Sequence, residues 1–198
     1  AIMNVYSCPS FVVCDEVLLR FNIFSPQIPY PEDPVFYLHI LEALTTGGKR
    51  VLVVSSWADQ LTTQLPVLGK VWAGRYTIDP GLIEFEHAHN TCASSPHADW
   101  GETFDDLTAR VDRRVAAGVT HAFLGCGSYG LPLADHLKAA GIGSIYVGGL
   151  VQVLFGLLGK RWEARTEVRR HVNRYWKYPA VTAEERLRHL RVEGGCYI

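Results

Sequence analysis

Between residues 123 and 137 the chain reads FLGCGSYGLPLADHL, with Gly125, Gly127 and Gly130 falling between an apolar run and a helix-like one. Glycines at a strand-to-helix turn let the main chain approach a ligand without interference from a Cβ. The start of the following helix also favours negative charge, so this is phosphate-binding chemistry. Ser128 and Tyr129 lie inside the turn, and Pro132 suits the first helical turn. The same glycines serve equally for close packing of helix on strand. A dinucleotide-binding turn wants an acidic residue about twenty positions on, and there the sequence has Gly148 and Gly149. Adenosine-ribose binding of the dehydrogenase kind is therefore disfavoured, while two neighbouring strand ends both carry bare backbone.

Three other groups could act with that turn. Lys160, Arg161 and Trp162 bring two cations and a stacking surface, suited to a diphosphate and to a base or sugar ring. The alternative is a surface cluster beside a core tryptophan. EFEHAHN, residues 84–90, sets Glu84 and Glu86 on one face of a strand and His87 and His89 on the other. Beyond it SSPHADW adds His97 and Asp99 in a loop. His89 and Asp99 are the candidates for a general base, against the reading of an edge strand with solvated charges. No third ligand at fixed spacing supports a metal. Ser55 and Ser56 end a strand, where their hydroxyls would bind phosphate or ribose or cap the next helix.

The elements that must hold these groups follow from periodicity. VFYLHILEALTT reads as a helix stopped by Gly47 and Gly48, RVLVVSS as a strand buried on both faces, and WADQLTTQLPVLGKVW as helical until Pro66. LIEFEHAH is a strand. In ETFDDLTARVDRRVAAG, Phe104, Leu107, Val111 and Val115 form a helical stripe ended by Gly118. The strand THAFLGCG, the helix LPLADHLKAAG and the strand SIYVGG complete a βαβαβαβ order. Such alternation predicts an α/β fold: one Rossmann-like domain over 1–198, with an open, mostly parallel sheet and helices on both faces. Four prolines between residues 26 and 34 predict an extended wrapping segment over 1–35. The tail, helical and basic, is expected to pack back on the sheet.

Composition bounds the function. The 198 residues carry a net charge of −1, which gives no global field for nucleic acid. Residues 151–198 nevertheless hold ten Lys/Arg against five Asp/Glu. That end would serve an anionic ligand or form a solvated helix face. Five scattered cysteines, with no CxxC pair, fit a reducing compartment without structural zinc. No run reaches the length of a membrane span, and no signal-peptide pattern opens the sequence. A soluble cytoplasmic protein is the expectation.

The block FLGCGSYGLPLADHLKAAGIGSIYVGGLVQVLFGLLGKRW, with the closing VEGGCYI, resembles a family encoded in surface-polysaccharide gene clusters. There the pattern runs G-x-G-x-Y/L-G-x-P-x-A, then G-G-x-x-Q-x-L-F-G-x-x-G-K-R-W, then a glycine-cysteine-aromatic tail. The resemblance is loose over residues 50–198 and close over 121–162. That family is in turn similar to D-type-fold glycosyltransferases, which are Rossmann-like and use nucleotide-diphosphate sugars. The resemblance implies sugar transfer from such a donor to a glycan or glycoprotein acceptor. It would gather Gly125, Gly127, Ser128, Tyr129, Gly130, Gly148, Gly149, Gln152, Lys160, Arg161 and Trp162 around the donor. D-type enzymes also carry an Asp-x-Glu metal motif in a glycine-rich turn. Here the nearest acidic pair, Asp15 and Glu16, lacks both the spacing and the glycines. No motif implies a divalent metal, the native polypeptide would extend beyond this chain if that part is missing, and Lys160 and Arg161 become the substitutes for the ion. The other classes left open are a nucleotide- or dinucleotide-binding oxidoreductase and a non-catalytic α/β binding domain.

Overall fold

The computed structural model of the chain describes residues 33–89, 96–190 and 194–198. The wrapping segment expected over 1–35 lies outside them except at its end, where Asp33 already caps a helix. Cys8, Cys14, Asp15, Glu16 and Cys92 also lie outside.

The architecture is α/β, with four parallel strands between helices. Helix α1 (Pro34–Thr46) starts on the Asp33 carboxylate, which accepts from Val35 N, and ends at Gly47. Strand β1 (Val51–Ser55) is buried at every position, as its unbroken β-branched run demands. Helix α2 (Ala58–Gln64) and the one-turn α3 (Leu68–Val71) are separated by a 3-10 turn at Pro66, and β2 (Ile83–His87) follows. Helix α4 (Trp100–Ala116) leads to β3 (His121–Gly125), and α5 (Gly130–Ala139) to β4 (Gly143–Tyr146). The tail contributes short helices α6 (Leu150–Leu154), α7 (Lys160–Glu163), α8 (Thr166–Arg169) and α9 (Ala183–Leu190).

The two-residue alternation of β1 divides the core. Val51 and Val53 face α1, α2, α3 and α6, while Leu52 and Val54 face α4 and α5 with Leu107, Val111, Leu133 and Leu137. The tail joins the first layer through buried Trp162, Val168 and Trp176. The Trp72 indole N–H donates to Leu154 O at 2.8 Å, and the Trp176 indole N–H to Val71 O at 3.2 Å.

Sheet order is β2-β1-β3-β4, all parallel. The chain leaves β1 toward one edge and β3 toward the other, so connections diverge between those two strands. That switch point, beyond the strands' carboxyl ends, is where open α/β sheets bind ligands. Register sets Ser55 level with His87 on one side and with Gly125 on the other. Strand spacing of ~4.8 Å puts His87 and Gly125 roughly 10 Å apart. Among the described residues no helix is long and apolar enough to cross a membrane.

Candidate functional site at the carboxyl edge of the sheet

The glycine turn leaves β3 at Gly125, passes Cys126, makes one 3-10 turn over Gly127–Tyr129 and enters α5 at Gly130. Gly127 has φ +57°, which few other residues adopt. Gly127 and Ser128 are exposed, and among the described residues their N–H groups have no main-chain acceptor. Two amides of this kind at a helix start are what an anionic oxygen needs. Burial pushes the Cys126 thiol up to about 12, which leaves it inert at this edge.

The other two glycines of the turn serve packing. A Cβ on Gly125 would lie 2.7 Å from Gly148 O and 2.8 Å from Val151 Cβ. At Gly130 a Cβ would run into the Tyr146 ring. Strand β4 and the start of α6 thus fill the space that the sequence reserved for a ligand, and only Gly127 with Ser128 keeps its backbone open. Tyr129 is buried, and Ser55, also buried, accepts from Trp57 N at 3.2 Å through Oγ. Ser55 therefore acts as a turn cap.

Residues 148–162 pack on the end of β3 and are tied chiefly to the end of the chain. Gly148 (φ +63°) donates its N–H to Leu124 O at 3.0 Å, so that amide is taken. The place of a side chain on Gly149 is occupied by the ring of Tyr197. Gln152 is buried and donates to Leu157 O at 3.5 Å and Tyr197 O at 3.3 Å, a structural clamp on the tail. Trp162 is a core residue, so its expected role as a stacking surface is replaced by packing against the first layer. Arg161 Nη1 donates to Tyr197 OH at 2.8 Å, with the guanidinium 5.1 Å from the centre of that ring. This sets the arginine beside Gly149, while Lys160 keeps an exposed side chain.

An aromatic residue not singled out from the sequence stands at the turn. Trp100, the first residue of α4, is 42% exposed, and its indole N–H donates to Ser128 Oγ at 2.9 Å. Its ring stacks on Phe104 (5.0 Å, 14°) and on Tyr129 (5.1 Å, 20°). Those two rings lie 6.4 Å apart. Rings on opposite faces of an indole would be separated by at least about 7 Å, twice the contact distance of carbon atoms. Both therefore lie under one face, and the other face is turned outward. The sequence signal was a tryptophan directly after a helix cap, where a core residue is not expected.

Across β1 from the turn stand the histidines. The His87 and His89 rings are 5.1 Å apart and those of His89 and His97 6.1 Å. His97 Nδ1 lies 3.2 Å from Thr103 Oγ1. Burial, then the neighbouring His87 and Arg110, hold the His89 pKa below the ordinary histidine value, leaving a neutral imidazole that can accept a proton near pH 7. Asp99 is otherwise engaged: its Oδ1 accepts from Glu102 N at 2.9 Å as the N-cap of α4. Glu84 and Glu86 are neither solvated nor catalytic in geometry. Arg110 and Arg114 bind Glu86, and Arg50 and Arg114 bind Glu84, tying β2 to α4. Among the described residues no three His, Cys, Asp or Glu side chains converge as metal ligands would. Compared with protein-family models, with curated proteins and with solved structures, the chain matches none of them.

Proposed function

We propose that the chain is a nucleotide-sugar-dependent glycosyltransferase domain whose donor lies across the carboxyl ends of β1 and β3. The observation that carries this reading is the exposed Gly127–Ser128 backbone just beyond Gly125 at the switch point, with His89 two residues beyond His87, which is level with Gly125 across β1. The amides of Gly127 and Ser128 take the diphosphate, and the outward face of Trp100 takes the base or the sugar ring. Arg161 and Lys160 add positive charge as the diphosphate leaves. His89 accepts the proton of the acceptor hydroxyl while that oxygen bonds to the anomeric carbon and the carbon–oxygen bond to the diphosphate breaks. The acceptor is a glycan or glycoprotein.

A thermal-shift panel of nucleoside diphosphates, their sugar conjugates and NAD, with and without manganese, tests this. Binding to the folded state alone stabilises by RT ln(1 + [L]/Kd), about 2.7 kcal/mol at a hundredfold excess over Kd. A rise with a sugar nucleotide that is lost in Trp100→Ala and Gly127→Ala is expected. A rise with NAD alone, or with no nucleotide, overturns the assignment.

A further inference from the structure

Several guanidinium groups on the described surface find a carboxylate: Arg50, Arg110, Arg114 and Arg188 all pair with Asp or Glu. The pattern breaks where the basic segment 169–175 crosses α3, away from the carboxyl-edge loops. There Lys70, Arg75 and Arg174 are exposed, and among the described residues none has a carboxylate within ion-pair distance. Rings are their partners instead. Lys70 Nζ lies 5.6 Å and the Arg174 guanidinium 5.0 Å from the centre of Tyr175, and Arg174 Nη2 donates to the Tyr175 hydroxyl at 2.9 Å. Arg75 Nη1 is 2.7 Å from His171 Nδ1, and Arg170 Nε is 3.1 Å from Nε2 of the same ring.

A neutral imidazole has one acceptor nitrogen, and a guanidinium only donates. With a guanidinium at each nitrogen of His171, one contact sets donor against donor. The cluster is short of acceptors as well as rich in charge. Among the described residues the carboxylate that reaches it is Asp33, which meets Arg170 Nη2 at 3.5 Å.

Two of these cations, Lys70 and Arg174, border a shallow cavity of about 760 Å³ lined also by Gly69, Ala73, Gly74, Asn173 and Tyr175. A Cβ on Gly69 or Gly74 would meet nothing within 4 Å, so the cavity is open there. The carbonyls at the end of α3, which would repel an anion, are covered. Asn173 Nδ2 donates to Lys70 O and Val71 O at 3.2 and 2.9 Å, and Gly74 N donates to Gly69 O at 2.7 Å.

We propose that this dish is a phosphate-ester site, distinct from the donor site and independent of that reading. Lys70 and Arg174 neutralise the phosphate and donate to its oxygens, Arg75 beside His171 adds to the positive field, and the Tyr175 ring holds the two flanking cations apart. The same chemistry fits a soluble phosphate ester and the headgroup of an anionic lipid.

Amide-resolved NMR titration with inorganic phosphate and with glycerol 3-phosphate tests it, beside co-sedimentation with phosphatidylcholine vesicles with and without phosphatidylglycerol. Shifts at Gly69, Gly74 and Asn173 are expected, with affinity at least tenfold weaker in the double variant Lys70→Gln, Arg174→Gln and falling with added salt. The charge-keeping pair Lys70→Arg, Arg174→Lys retains binding, which separates charge from folding. Response to the soluble esters, or sedimentation only with phosphatidylglycerol, supports the site and tells its two sources apart. Equal sedimentation with neutral vesicles, shifts unchanged in the neutralised variant, or no response to any probe overturns it.

Discussion

Replacing Gly125 by alanine separates two uses of a glycine turn, one for a ligand and one for the protein itself. The added methyl would sit 2.7 Å from Gly148 O and 2.8 Å from Val151 Cβ, against the 3.5–4.0 Å at which carbon atoms pack. The backbone must give by most of an ångström, because neither neighbour is the end of a flexible side chain. One is main chain, and the other is a β-carbon fixed to α6. Overpacking of this kind costs about 1–3 kcal/mol. In a chain of this size each kcal/mol moves Tm by about 2–4 °C, so Gly125→Ala is expected to melt about 2–12 °C lower. Gly127→Ala provides the comparison: its cost is conformational, about 1–2 kcal/mol for a left-handed residue. Urea unfolding followed by circular dichroism, with the slope m unchanged, reads both. Under the proposed function, donor affinity in the folded protein drops for Gly127→Ala. A Gly125→Ala protein as stable as the parent would refute the close packing of α6 on the end of β3.

His89, His121, His171 and His189 all have pKa values lowered chiefly by burial. Each contributes stability that is present above about pH 6.5, the unfolded value, and lost as pH falls through the lower folded values. The urea midpoint should therefore drop between pH 7.5 and pH 5, and His89→Gln should reduce that drop. Transfer activity should persist below pH 6.5 before it falls, and should be lost in His89→Gln. Ala73 holds φ +53° at the end of α3, where glycine is the usual residue, so Ala73→Gly should raise stability by about 0.5–1 kcal/mol in urea unfolding. Glu86→Ala leaves Arg110 and Arg114 without their shared carboxylate. In this partly exposed network that should cost about 1–2 kcal/mol, less in high salt. Arg161→Ala should lower turnover at least tenfold while the far-ultraviolet spectrum stays that of the parent. Unchanged turnover would remove Arg161 from the donor site.

The order of elements was legible because strand and helix periods differ and each change of period is punctuated. Gly47 and Gly48 close α1, Gly118 closes α4, and β1 reads as a strand buried on both sides, which it is. The glycine turn was legible too, as a strand end followed by a helix start. The partners of each glycine were not, because they come from residues far along the chain. Gly125 meets Val151, Gly130 meets Tyr146, and Gly149 meets Tyr197.

By itself the amino-acid order determined that a parallel α/β sheet would form and that a flexible backbone turn would follow β3. Those are local properties of hydrophobic spacing and of residues that tolerate unusual dihedrals. Only the tertiary structure decided that Trp162 and Gln152 are internal and that Trp100 stands beside Ser128. Among the described residues it also left Lys70, Arg75 and Arg174 without a paired carboxylate. Which side chains face one another across a fold is fixed by the crossing of distant segments, and one-dimensional spacing carries no record of that crossing.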